Sequence, residues 1–221
     1  MPSTHPSFKK HPRFYLDPRT VELLLDDGTL YRVFRYSLEL HSPTFATQYL
    51  ADSADEGPIR LPDISSVDLD RFLSLIYPAE IATPILTTAA EWTSVLRLAH
   101  KWSFVALLRR AIREVYRLGS VVDKIAVARE FGDLDSNGCG GLSVQGTPSG
   151  LTELQDWLLP AFVEACTTEC WLDGVSEEDA ERLGAGTVLK VARIREANRK
   201  AGPKDLAYDV ERAIVDAGLA P

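Results

Sequence analysis

The dipeptide Asp27-Gly28 stands between two apolar-rich segments, Val21 to Leu25 and Leu30 to Phe34. Asp-Gly is a favoured hairpin turn because glycine takes a positive φ without steric cost. An antiparallel hairpin near the start is therefore expected, and the rest of the chain must pack around it. One further strand signal is short: "PIRLP", Pro58 to Pro62, bounded by prolines. Helical periodicity dominates the remaining segments. A small early sheet covered by helices is an α+β arrangement.

The helical segments announce their own ends. Arg35 to Leu40, and then "SPTFATQYL" from Ser42, read as two short helices. Ser42 is placed to cap the second, with Pro43 at the first helical position, where its missing donor costs nothing. Ser65 and Asp68 resemble a capping box opening "VDLDRFLSLIY", in which Val67, Phe72, Leu73 and Ile76 share a face; Pro78 stops it. Thr88 and Glu91 form a second box. Behind it Trp92, Val95, Leu96, Ala99 and Trp102 keep helical spacing and are expected in the core. A helix over Val105 to Leu118 ends at Gly119.

The second half predicts helices at Val122 to Phe131, at Leu154 to Glu169 with an interruption near Pro160, at Glu177 to Leu183, and at Thr187 to Lys200. Ser176 caps the third and Gly184 closes it. Between the first two, Gly132 to Gly150 is glycine-rich and reads as a loop or insertion. The organisation expected is a flexible tail over 1–13, an α+β domain over 14–119, a helical extension over 120–200 with an insertion at 132–150, and a loosely packed tail over 201–221.

Charge and composition narrow the function. The 221 residues carry a net charge of −8, and no basic cluster is expected to offset it. Such a field disfavours contact with nucleic acid or anionic membranes, so neither is an expected partner. No apolar run is long enough to span a bilayer. Three cysteines, Cys139, Cys166 and Cys170, are a sparse, odd set that fits a reducing compartment, hence an intracellular protein of cytoplasm or nucleus.

The segment "DLDSNGCGG" opens like a calcium loop at Asp133, with Asp135, Asn137 and Gly138 in step. Its twelfth position, which needs a bidentate carboxylate, is Val144, and its eighth is Gly140. Cys166 and Cys170, at i and i+4 on an expected helix, have no histidine near them to complete a zinc set. "GTPSG" around Ser149 is not a nucleophile elbow, and "GAGT" at Gly184 comes after a helix rather than a strand. The basic side of "VARIREANRK" reads as a solvated face that favours the helix dipole. No catalytic, cofactor-binding or metal site is expected.

Five segments in order carry a resemblance. "VELLLDDGTLYRVFRYSLELHSPTFATQYL", "PIRLPDISSVDLDRFLSLIYP" and "EWTSVLRLAHKWSFVALLRRAI" resemble the BTB/POZ domain. With "DKIAVAREF", "DWLLPAFVEAC" and "SEEDAERLGAGTVLKVARIREA", the chain is similar to a group of fungal BTB-domain proteins. The resemblance implies a BTB/POZ fold, a non-enzymatic interaction module, and protein partners, among them a second copy or a cullin-type ubiquitin ligase. BTB dimers commonly place an Asp and a His at a charged pocket; those positions here are Thr20 and Phe34, the latter before Arg35. A cullin-facing surface would lie around Thr44 to Glu56, including Tyr49 and the acids Asp55 and Glu56, with Ser53 where an apolar residue is usual.

Overall fold

The computed structural model describes residues 17–51, 57–78, 86–136, 152–201 and 206–221. Strand β1 (Thr20–Leu25) and strand β2 (Leu30–Phe34) form the expected hairpin. Gly28 turns it at φ 86°, and the Asp27 carboxylate accepts the Thr29 amide at 2.8 Å. Strand β3 (Ile59–Leu61) adds to β1 in parallel, giving the order β2-β1-β3. Val21, Leu23 and Leu25 alternate inward along β1, as a sheet with one covered face requires.

Helix α1 (Arg35–His41) leads to a short helix α2 (Pro43–Phe45), which continues as a wider π turn over Ala46–Leu50. Helix α3 (Ser66–Ile76) is capped by Ser65, whose hydroxyl accepts the Asp68 amide at 3.1 Å. Helix α4 (Ala89–Lys101) has a complete capping box: Thr88 accepts the Glu91 amide, and the amides of Thr87 and Thr88 hold the Glu91 carboxyl below its ordinary value. Its apolar stripe enters the core as expected. Trp102 packs edge-on to Phe45 and to Phe72, with both ring separations at 5.3 Å. The Tyr31 hydroxyl donates to Asp70 at 2.8 Å and ties the hairpin to α3; burial, then that carboxylate, pushes the phenol up to about 12.

Helix α5 (Val105–Leu118) packs beside α4 and stops at Gly119, where an added Cβ would meet the Val115 carbonyl oxygen at 2.5 Å. Close approach, not a positive φ, is what demands glycine there. Contrary to expectation, the chain does hold a basic cluster: Arg109, Arg110, Arg113 and Arg117 are all exposed on α5.

Helix α6 (Val121–Ser136) runs five residues past its expected end, so Gly132 to Ser136 are helical rather than loop. Val127, Ala128 and Phe131 are buried, and a helix anchored so close to its end extends at one hydrogen bond per added residue. The remainder of the expected insertion lies outside the described residues, as does the N-terminal tail. Helix α7 (Thr152–Gln155) and helix α8 (Leu158–Thr167) take the place of the interrupted helix expected over Leu154 to Glu169. The break falls at Asp156 and Trp157, and Pro160 sits in the first turn of α8, where proline is tolerated. Because α8 ends at Thr167, Cys170 lies exposed in the turn beyond it while Cys166 is buried, and the two share no helix face.

Helix α9 (Glu177–Leu183), helix α10 (Ala185–Ala201) and helix α11 (Leu206–Asp216) complete the chain. The basic segment of α10 is not wholly solvated: Arg195 donates to the carbonyls of Ala165 and Glu169 at 2.6 and 2.5 Å, closing the end of α8. Nor is the C-terminal segment loose. Val210 and Ile214, one helical turn apart, are fully buried with Leu219 against α8 and α10. Among the described residues two apolar clusters result, and α6 serves both: Val127 and Phe131 join the sheet-side cluster, Val121, Val122 and Ile125 the helical one.

Candidate protein-interaction surface

The inward turn of Val21, Leu23, Leu25 and Val33 decides what the hairpin shows outside. Thr20, Glu22 and Leu24 stand opposite Phe34, Arg32 and Leu30 in the β1–β2 register. Arg32 and Glu22 pair at 2.6 Å in the middle of this outer face. On either side of that pair Leu30 and Phe34 remain 53% and 51% exposed. Large apolar side chains left half in water on a strand at the sheet edge are the feature of this region that folding alone does not account for.

Tyr77 extends the surface. It comes directly after α3, with its amide held by the Leu73 carbonyl at 2.8 Å, and its hydroxyl donates to the Phe34 carbonyl at 3.2 Å. The two rings lie 6.4 Å apart. Leu75 and Ile76, just before it, line a groove of about 160 Å³ with His41, Phe104, Ala106 and Leu107. Leu40 and Val105, neighbours of that groove in sequence, are exposed. The surface thus runs from the hairpin, over Tyr77, toward the start of α5.

Arg35 is committed inside its own chain. Its guanidinium donates to Glu39 at 2.6 Å and to the Leu50 carbonyl at 2.8 Å, and its amide to the Arg19 carbonyl at 3.0 Å. Thr20 and Phe34 beside it offer neither carboxylate nor imidazole. The arrangement can bind an apolar protein surface at Leu30, Phe34 and Tyr77, while the charge of Arg35 is met by Glu39 of its own chain.

Of the six expected interface residues, the structure brings together Thr20 and Phe34, which face each other directly. Thr44 and Tyr49 belong to the separate α2 segment; both are half-buried, and the Tyr49 ring packs 4.8 Å from Phe45. Asp55 and Glu56 lie outside the described residues. Leu30, Tyr77 and the groove residues were missed. The alternation Leu30-Arg32-Phe34 carried the signal for one outward face, whereas Tyr77 beside Pro78 reads in sequence only as a helix stop. Among the described residues no group of three or more His, Cys, Asp or Glu is placed to hold a metal ion, and no helix is long and apolar enough to cross a membrane.

No curated protein matches the chain. The hairpin, the parallel third strand and the paired helices α4 and α5 coincide with a match of residues 15–116 to the family model for the BTB/POZ domain. The three-stranded sheet with its covering helices, continued by a helical extension, is an α+β BTB/POZ fold, and the matched residues form a domain of the class that serves as a protein–protein interaction module.

Proposed function

We propose that the chain is a non-enzymatic interaction protein, with a BTB/POZ domain over residues 14–119 and a helical extension over 120–200, that docks a second copy of itself through the outer face of its hairpin. The observation that carries this reading is the half-exposed pair Leu30 and Phe34 on edge strand β2, continued by Tyr77. Among the described residues β2 pairs on one side only. A strand with a free edge and apolar side chains is suited to pairing with a like strand. An intracellular setting, cytoplasm or nucleus, goes with this reading.

A cullin-type ubiquitin ligase subunit is the alternative partner, approached from the side of Thr44 and Tyr49. Light scattering behind size-exclusion chromatography tests the two together. Self-association gives a dimer mass that Phe34→Glu reduces to a monomer. A chain that is monomeric at all concentrations, and that co-elutes with a purified cullin N-terminal domain unless Tyr49 is replaced by Ala, assigns it to the alternative.

A further inference from the structure

Helix α5 carries four arginines against one acid, Glu114, in a chain whose net charge is −8. Arg109, Arg113 and Arg117 recur at steps of four and form one exposed stripe about 12 Å long. Three of the four arginines are partly engaged: Arg110 lies over the Trp92 ring at 5.3 Å, Arg117 pairs with Glu114 at 2.7 Å, and Arg109 has a partner too. No described carboxylate lies within ion-pair distance of Arg113.

Beside Arg113 is a hollow of about 390 Å³, lined by Ile112, Arg113, Tyr116, Asp156, Trp157 and Pro160. Its lining is largely apolar, and Tyr116 is 50% exposed at its edge. The Tyr116 ring rests 5.2 Å from Trp157, and the Lys124 ammonium sits 4.9 Å over it. The hollow therefore combines a slot for one bulky side chain with cations on the α5 and α6 sides. Asp156 is the one acid of its lining among the described residues.

We propose that this hollow is a docking site, separate from the hairpin face, for an acidic peptide segment carrying one large apolar residue. The apolar side chain fills the slot between Tyr116, Trp157 and Pro160. Carboxylates on either side of it meet Arg113 and Lys124. Asp156 repels carboxylates from its own end and so orients the peptide. A nucleic acid strand fits less well. Lys124 already covers a face of the Tyr116 ring that a base would stack on, and the overall acidity of the chain opposes a polyanion that lacks an apolar anchor.

The probe is a short fluorescein-labelled peptide of Asp and Glu around one central Leu, titrated with the full chain and followed by anisotropy. Saturable binding is expected, weakened about tenfold by Arg113→Glu and by a rise from low to high salt. Replacing the peptide's Leu with Ser should weaken it similarly, and Asp156→Ala should tighten it. Arg113 is exposed, so the variant should keep the wild-type melting curve and report on binding alone. Three results overturn the proposal: no saturable binding; binding indifferent to Arg113→Glu; or an oligonucleotide of equal charge competing as well as the peptide, with the Leu making no difference. Because none of these readouts depends on dimer formation, their failure is distinguishable from failure of the hairpin-face reading.

Discussion

The side-chain hydroxyl of Ser42 donates to the main-chain carbonyl of Trp102, sixty residues away in sequence, and accepts the Phe45 amide at 2.8 Å. One fully buried side chain thus caps α2 and satisfies the carbonyl that ends α4. Ser42→Ala removes the cap, worth about 1 kcal/mol, and strands a buried carbonyl, which costs about 1–3 kcal/mol. Urea denaturation should show the midpoint falling with the slope unchanged. An unchanged midpoint would mean that the contact adds nothing to the fold.

Trp102 itself is 2% exposed and lies between Phe45 and Phe72. Trp102→Ala should cost about 3–5 kcal/mol, as for other large buried aromatics, and Trp102→Phe clearly less. That is a large share of the roughly 5–15 kcal/mol that stabilises a typical domain. Thermal melting by circular dichroism compares the two variants, and equal losses would contradict the packing described.

Asp123 joins the start of α6 to α9. Burial raises its carboxyl, but the hydroxyl and amide of Ser120 and the guanidinium of Arg182 outweigh that, so it titrates below its ordinary value. A depressed folded value means that its contribution is present above the unfolded pKa of about 4 and is lost as the pH falls through the folded value. The stability gap between wild type and Asp123→Asn should accordingly be widest near neutrality and close at low pH. A gap independent of pH would rule out this ionic role.

Phe34 is half exposed, and its carbonyl, not its ring, receives the Tyr77 hydroxyl. Phe34→Ala should therefore change stability by no more than about 0.5 kcal/mol, the scale of ordinary surface substitutions. Crosslinking yield between copies should nonetheless fall. A large loss of melting temperature would instead place the ring among the packed residues.

Gly119 offers a backbone test of the junction between α5 and α6. Its φ is an ordinary −74°, yet a Cβ would sit 2.5 Å from the Val115 carbonyl oxygen. Gly119→Ala should lower stability by about 1–3 kcal/mol, as other forced contacts do. Hydrogen exchange across Ser120 to Ile125 should rise with it, and unchanged protection there would show that the junction gives way freely.

Local features were legible in the amino-acid order. The Asp27-Gly28 turn, the caps at Ser42, Ser65, Thr88 and Ser176, and the stripe from Trp92 to Trp102 are each set by residues a few positions apart, whose hydrogen bonds and facing are dictated by helix and turn geometry. The order of these elements was enough to place the BTB/POZ resemblance. Packing between distant segments settled everything else. Whether Phe34 points out or in depends on which face of the hairpin the helices cover. Tyr77 reaches Phe34 across 43 residues, α6 outruns its expected end because Phe131 is anchored in the core, and Val210 and Ile214 dock only because α8 and α10 offer a surface. Such contacts join side chains far apart in the chain, and burial is a property of the partner surface as much as of the residue buried.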